Sequence, residues 1–339
     1  MNIRNRPDQN KLVTDLRAGD RFALAKAITI VESTRPADQE LARDIVAECL
    51  PYSGKSVRYG ISGAPGAGKS TFIEAFGSLL TSLGRQVAVL AIDPSSAQHH
   101  GSILGDKTRM ERLSRDPHAF IRPSPAGTTL GGVARKTRET IILCEAAGFN
   151  HILIETVGVG QSETAVQAMS DFFILLLIPG AGDDLQGIKR GIVEMADLIL
   201  VNKADGDRAD LARQAQQYYQ QSIHLLPPKD SGQLVKVSQI SSLHEKGIAE
   251  VLEQLEDLEA AVKENGFWQT KRKDQARYWF REHFTDILHQ KIFDIYKTTY
   301  SQLENQVLKE EISPFQAASM LLASLNLGNI PERNTDQEI

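Results

Sequence analysis

The stretch Gly63-Ala64-Pro65-Gly66-Ala67-Gly68-Lys69-Ser70-Thr71 sets glycines beside one lysine and two hydroxyls. Its Gly-x-x-x-x-Gly-Lys-Ser spacing is that of a phosphate-binding loop. Glycine leaves backbone N–H groups free to wrap phosphates, the lysine reaches the outer ones, and the serine hydroxyl binds Mg²⁺. The bland alternative is a glycine-rich turn with an incidental lysine. A second group begins where the apolar run Ile152–Ile154 stops at Glu155. An acid at a buried strand end needs a positive partner, either a lysine or a metal ion. Downstream of a phosphate loop, the metal or its waters are the expected partner. Glu155-Thr156-Val157-Gly158 also has the acid-x-x-Gly spacing that lets the Gly158 N–H sense a γ-phosphate. Glutamate is one methylene longer than aspartate, so contact through water is expected more often than direct contact. A structural salt bridge is the competing reading.

Two further acids compete for the metal, Asp93 in "VLAIDPSS" and Asp106 in "SILGDKTRM". Hard oxygen ligands suit Mg²⁺, so the candidate metal set is Ser70, Asp93, Asp106 and Glu155. Asp106 equally suits a helix N-cap, and Arg109 either serves a phosphate or lies solvated. Asn202-Lys203-Ala204-Asp205 follows the strand-like "LILV". A carboxylate at Asp205 accepts from both the N1–H and the 2-amino group of guanine, and the Lys203 stem packs over the base. Adenine lacks that donor pair, which would leave a buried carboxylate unpaired. Ser241-Ser242-Leu243 comes after the next strand and offers backbone N–H groups to the guanine oxygen. The expected ligands are therefore GTP and GDP with Mg²⁺. The candidate catalytic residues are Lys69, Glu155 and Gln161. Many GTPases place glutamine directly after acid-x-x-Gly, where this chain has Val159, so slow intrinsic turnover is expected. Lys189 or Arg190 could supply further charge.

Positioning these groups requires strands that alternate with helices. Apolar runs predict strands at 57–62, 86–92, 119–122, 151–155, 172–178, 198–201 and 234–237. Helical patterns fall at 69–83, 131–147, 186–195, 208–221 and 248–264. Apolar strands alternating with helices imply a mainly parallel sheet covered on both faces. The fold expected is an α/β P-loop NTPase with N-terminal and C-terminal helical extensions. The expected divisions are 1–50 (helical), 51–265 (nucleotide domain), 266–328 (helical) and a polar tail, 329–339. Helical spacing runs from Leu12 to Val31, and a second helix from Asp38 to Cys49. A wide apolar stripe through Trp279, Phe280, Phe284, Ile287 and Leu288 lies on one long helix. Ser313-Pro314 caps a last helix that ends near Leu327.

With 339 residues, 41% hydrophobic, 24% charged and a net charge of -5, the chain has an ordinary globular composition and no broad basic surface for nucleic acid or anionic membrane. Cys49 and Cys144 are the only cysteines, which excludes a disulfide framework. The segment 172–178 is too short to span a bilayer, and the first residues lack a signal peptide's apolar core. A cytoplasmic protein is expected.

The blocks "ISGAPGAGKST", "DPSS", "GSILGDKTRM", "RPSP", "TLGGVARKTRE", "ILIETVGVGQSE", "NKADGD" and "SSLHEKGI" together resemble the MeaB/ArgK GTPases, which include the human methylmalonic aciduria type A protein. The resemblance covers nearly the whole chain. It implies a homodimeric GTPase that accompanies an adenosylcobalamin-dependent acyl-CoA mutase, such as methylmalonyl-CoA mutase, gating cofactor loading and protecting the enzyme. It also implies that Asn202 and Asp205 read guanine and that residues 179–191 couple nucleotide state to the mutase. One departure stands out: His99-His100 occupies positions where the family pattern has a hydroxyl residue and glycine. A soft-metal site, as in metal-delivery GTPases, and solvated histidines are the two readings of that pair. A nucleotide-gated binding module with negligible hydrolysis is the further alternative. A P-loop kinase would need a phosphoacceptor site, and the sequence shows no acceptor-binding motif.

Overall fold

The computed structural model describes residues 8–92, 110–123, 130–156, 162–180 and 190–325. Three N-terminal helices, α1 (Gln9–Arg17), α2 (Arg21–Glu32) and α3 (Pro36–Cys49), precede an alternating region. That region runs β1 (Val57–Gly63), α4 (Lys69–Ser82), β2 (Val87–Ile92), α5 (Glu111–Arg115), β3 (Ala119–Arg122), α6 (Leu130–Ala146), β4 (His151–Thr156) and α7 (Ser162–Gln167). It continues through β5 (Phe172–Leu177), α8 (Arg190–Met195), β6 (Leu198–Val201), α9 (Ala209–Ile223), β7 (Lys236–Gln239) and α10 (Ile248–Glu264). The long α11 (Phe267–Ile295), α12 (Lys297–Leu308) and α13 (Pro314–Ser324) close the described chain.

The strands form one seven-stranded sheet in the order β3-β2-β4-β1-β5-β6-β7, and every pair is parallel. Every residue of β1, β2, β4, β5 and β6 is buried. A parallel sheet covered on both faces requires this, and it is why these strands read as continuous apolar runs. Tyr59, Ile61, Leu153, Ile174 and Leu176 face a core made with Phe72, Phe76, Leu113, Val251 and Leu255 of α4, α5 and α10. On the opposite face, a Cβ at Gly60 would lie 2.7 Å from Val166 of α7 and 2.8 Å from Ser170 Oγ. The absence of a side chain there seats α7 directly on β1.

Both sheet edges are covered, which protects the unpaired groups of an edge strand. Arg21 donates to the carbonyls of Asp116 (3.4 Å) and Ala119, and Arg122 pairs with Glu32 of α2. At the other edge, Gln216 Nε2 donates to the Val237 carbonyl at 2.7 Å. The rim at the strand N-termini is polar. Arg58 pairs with Glu145 at 2.8 Å, and Arg272 with Asp171 at 2.7 Å. Arg85 Nη1 lies 3.1 Å from His151 Nε2. A guanidinium can only donate, so Nε2 accepts and Nδ1 carries the proton toward Asn150 Oδ1 at 2.9 Å.

The pattern from Leu12 to Val31 is split into α1 and α2. Gly19 takes φ 86°, and Asp20 caps α2 by accepting from Phe22 N and Ala23 N at 2.7 and 3.0 Å. Strand β7 starts at Lys236 rather than Leu234, which is 81% exposed. Helices α7 and α12 are additional to the sequence pattern. The helix expected at 186–195 is described from Arg190. Ser313 caps α13 in a reciprocal box with Gln316, and the helix ends at Ser324, before Leu327.

The chain forms two compact units, the first up to Tyr278 and the second from Trp279. The boundary thus lies within α11 rather than after Asn265, and the N-terminal helices belong to the first unit. In the second unit Trp279 is buried, whereas Phe280 is 72% exposed, Phe284 59%, and Ile287 and Leu288 are also exposed. Among the described residues no helix is long and apolar enough to cross a membrane.

Candidate nucleotide site

The phosphate loop connects β1 to α4. Gly63 (φ 154°), Gly66 (φ 80°) and Gly68 (φ 87°) hold its path. A Cβ at Gly63 would fall 2.4 Å from the Leu176 carbonyl, and one at Gly68 would fall 2.5 Å from Asn202 Nδ2. These two positions need glycine for space as well as for dihedral angle. Ala67 N donates to Ala64 O at 3.0 Å, closing the loop, and Phe72 N to Gly68 O at 2.8 Å starts the helix. Lys69 is buried and donates to Gly63 O (2.7 Å) and Ala64 O (3.3 Å). Burial pushes the Lys69 ammonium below its ordinary range, while Glu155 and Glu163 pull it back up.

Glu155 reaches this loop through the sheet. Strand β4 lies directly beside β1, with Glu155 in register with Ile61. The buried Glu155 carboxylate accepts from Ser70 Oγ at 3.1 Å. Behind it, Thr156 Oγ1 donates to Ser62 Oγ at 3.1 Å. A serine hydroxyl and a carboxylate side by side at a phosphate loop form a hard oxygen donor set that fits Mg²⁺. Asp93, Asp106, Gly158, Gln161, His99-His100 and Lys189 lie outside the described residues, as does the Arg190 side chain.

Asn202, directly after β6, joins the two halves of the site. Its Nδ2 donates to the Ala67 carbonyl at 2.8 Å, and its Oδ1 accepts from Ser242 N at 3.0 Å and Ser242 Oγ at 2.9 Å. The residue is buried. It therefore fastens the phosphate loop to the 241–243 loop. Lys203 adopts φ 59°, turning the chain just after β6. Asp205 accepts a hydrogen bond from Ser241 Oγ. Ser241 and Ser242 are buried and Leu243 is 75% exposed. Phosphate loop, acid, Asn202 and the 241–243 loop thus converge at the C-terminal ends of β1, β4, β6 and β7, where a parallel sheet binds its ligand.

Glu163 was not singled out by its spacing. It stands in the first turn of α7, buried, close enough to act on the Lys69 charge. Its acidic type within "GVGQSE" was the available signal.

Residues 24–297 match the family described as methylmalonyl Co-A mutase-associated GTPase MeaB. This chain belongs to the MeaB GTPase family. It is 48% identical over 267 residues to GTPase ArgK of Escherichia coli, covering 79% of this chain and 81% of that protein. It is 45% identical over 329 residues to the mitochondrial methylmalonic aciduria type A homolog of Mus musculus, covering 92% and 78%. A solved structure described as LAO/AO transport system kinase superposes with a TM-score of 0.74 at 37% identity, covering 94% of this chain and 98% of that one. As a MeaB-family member the chain is a P-loop GTPase that binds guanine nucleotide and hydrolyses GTP.

Proposed function

We propose that this MeaB-family GTPase is a nucleotide-gated chaperone of an adenosylcobalamin-dependent acyl-CoA mutase, with methylmalonyl-CoA mutase as the first candidate. It gates cofactor loading and protects the mutase. The family description, which names association with that mutase over residues 24–297, carries the reading. The site geometry supports a switch. Asn202 links the base side to the phosphate side, and Glu155 stands where a change at the γ-phosphate would be felt.

In the proposed mechanism the backbone N–H groups of residues 66–70 and the Lys69 ammonium hold the β- and γ-phosphates. To do so Lys69 exchanges its two loop carbonyls for phosphate oxygens. Ser70 and Glu155 would hold Mg²⁺, and bound Mg²⁺ supplies charge neutralisation on the phosphates. Asp205 accepts from the guanine edge, and Ser241 fixes the orientation of its carboxylate. Water attacks the γ-phosphate, with Gln161 as the proposed positioning residue, and turnover is slow without a partner. Asp93 and Asp106 complete the proposed metal shell.

The test is calorimetric titration of the organism's own mutase with this protein in GDP and in a non-hydrolysable GTP analogue. The expected affinities differ by about 5–150-fold, the usual range of such coupling. Equal affinities, or no binding in either state, would overturn the chaperone reading and leave a GTPase without this role.

A further inference from the structure

We infer that Arg112 is a positioning residue that latches the base-side loop to the phosphate-binding helix, with Glu74 and Glu245 as its two anchors. The inference rests on the assignment of Ser241–Leu243 to the guanine.

The first residues of the base-side loop are held by Asp205 and Asn202, which accept from Ser241 and Ser242, while its tip is open. Ser241 and Lys246 exchange backbone hydrogen bonds at 3.0 Å, which closes a narrow turn. Leu243 at its tip is exposed. Glu245 sits at φ 55°, a left-handed conformation uncommon for a non-glycine residue, inside the turn that Ser241 and Lys246 close. From outside the loop, its carboxylate accepts from Arg112 Nη2 of α5.

Arg112 is in turn held by the phosphate helix. Helix α5 has Met110 at its N-cap and no side-chain cap of its own. Glu74 of α4 supplies one across space: its Oε1 accepts from Arg112 N at 2.8 Å, and from Leu113 N at 3.4 Å. The Arg112 Nε lies 3.5 Å from the same oxygen. Glu74 is one turn along from Ser70 on the helix that opens with Lys69. Leu113 secures α5 against α4, where a Cβ on Gly77 would meet it at 2.7 Å. The line from phosphate helix through Glu74, Arg112 and Glu245 ends in the loop that carries Ser241 and Ser242. It is a second tie between the two halves of the site, independent of Asn202. The Asn202 tie is buried, while the Arg112 and Glu245 side chains are 58% and 52% exposed, so only the second is open to screening by salt.

The experiment is stopped-flow release of a fluorescent GDP from the full-length protein, with GDP and ADP affinities measured first. Arg112→Ala and Glu245→Ala are each expected to speed release by about twofold to fivefold at low salt, the scale of an exposed pair. The double variant should release no faster than the faster single variant, and Arg112→Lys should recover part of the loss. Raising NaCl should bring the wild-type rate toward that of the variants. The KM for GTP should rise more than kcat changes. Guanine preference with release rates at wild-type levels in both variants would overturn the latch alone, as would single effects that multiply in the double variant. A wild type that binds GDP and ADP equally would overturn the base-side assignment and the latch with it. Glu245→Ala leaves the α5 cap intact, so it carries the test even if Arg112→Ala loosens that helix.

Discussion

Ser70 and Glu155 are 85 residues apart in the chain and 3.1 Å apart in the fold. If Glu155 serves the metal, Glu155→Ala should lower Mg²⁺-dependent phosphate release by at least about tenfold. Its urea midpoint should move little by comparison. A variant that unfolds readily, yet hydrolyses normally in its folded fraction, would make Glu155 a structural acid. Asp205→Asn tests the base side. It replaces a pure acceptor with a mixed donor, so GTP should weaken by about 1–3 kcal/mol, the cost of unpaired buried polar groups, and xanthosine nucleotides should gain. Titration with both nucleotides reads the exchange. The sequence revealed which residue types could do this chemistry, because a phosphate loop restricts where glycine, lysine and serine stand. It did not reveal Asn202 as the fastener between loops. That role depends on Ala67 and Ser242, 135 and 40 residues away, meeting at one amide.

Strands and helices were legible where burial was complete. The fully buried strands β1, β2, β4, β5 and β6 announce themselves by apolar runs, and α4 by its motif. Strand β7 misled by two residues. Leu234 and Val235 look like strand, but they lie in the loop before it, with Leu234 in solvent. The order of strands was not legible, since parallel neighbours are chosen by packing between helices rather than by local pattern. The sheet floor offers its own prediction. Burial, with Arg85 adding to it, holds the His151 imidazole down at about 4. The unfolded chain, with an ordinary histidine near 6.5, binds that proton more readily between those values. Stability from this group is therefore fully present above about pH 6.5 and is lost as the pH falls toward about 4. The loss is about 3 kcal/mol on the order-of-magnitude scale of linkage. Urea melts from pH 4 to 8 should show that slope in the wild type and its flattening in His151→Gln.

At the scale of the molecule, the second unit displays Phe280, Phe284, Ile287 and Leu288 to solvent in the single chain. Large apolar side chains gain about 1.5–3 kcal/mol each on full burial, and an isologous dimer is the commonest way to gain it. The double substitution Phe280→Asp with Phe284→Asp should give a monomer by light scattering, while nucleotide binding in the first unit persists. A wild type that scatters as a monomer would remove the dimer.

The strand order also governs how the chain is made. Among the described residues, strand β1 pairs with β4 and β5, whose residues follow it by roughly ninety positions or more. At about 5–20 residues per second of synthesis, the strand that ends in the phosphate loop waits roughly 5–20 s for its first partner. During that interval the strand Val57–Gly63, with Val57, Tyr59 and Ile61 bound for the core, is out of the ribosome without a sheet to join. Such late, distant pairing is slow and open to aggregation. Translation speed and nascent-chain chaperones therefore become determinants of how much active GTPase a cell obtains. Slowing synthesis downstream of Leu177, once both partners of β1 exist, should raise the soluble yield more than slowing it before His151.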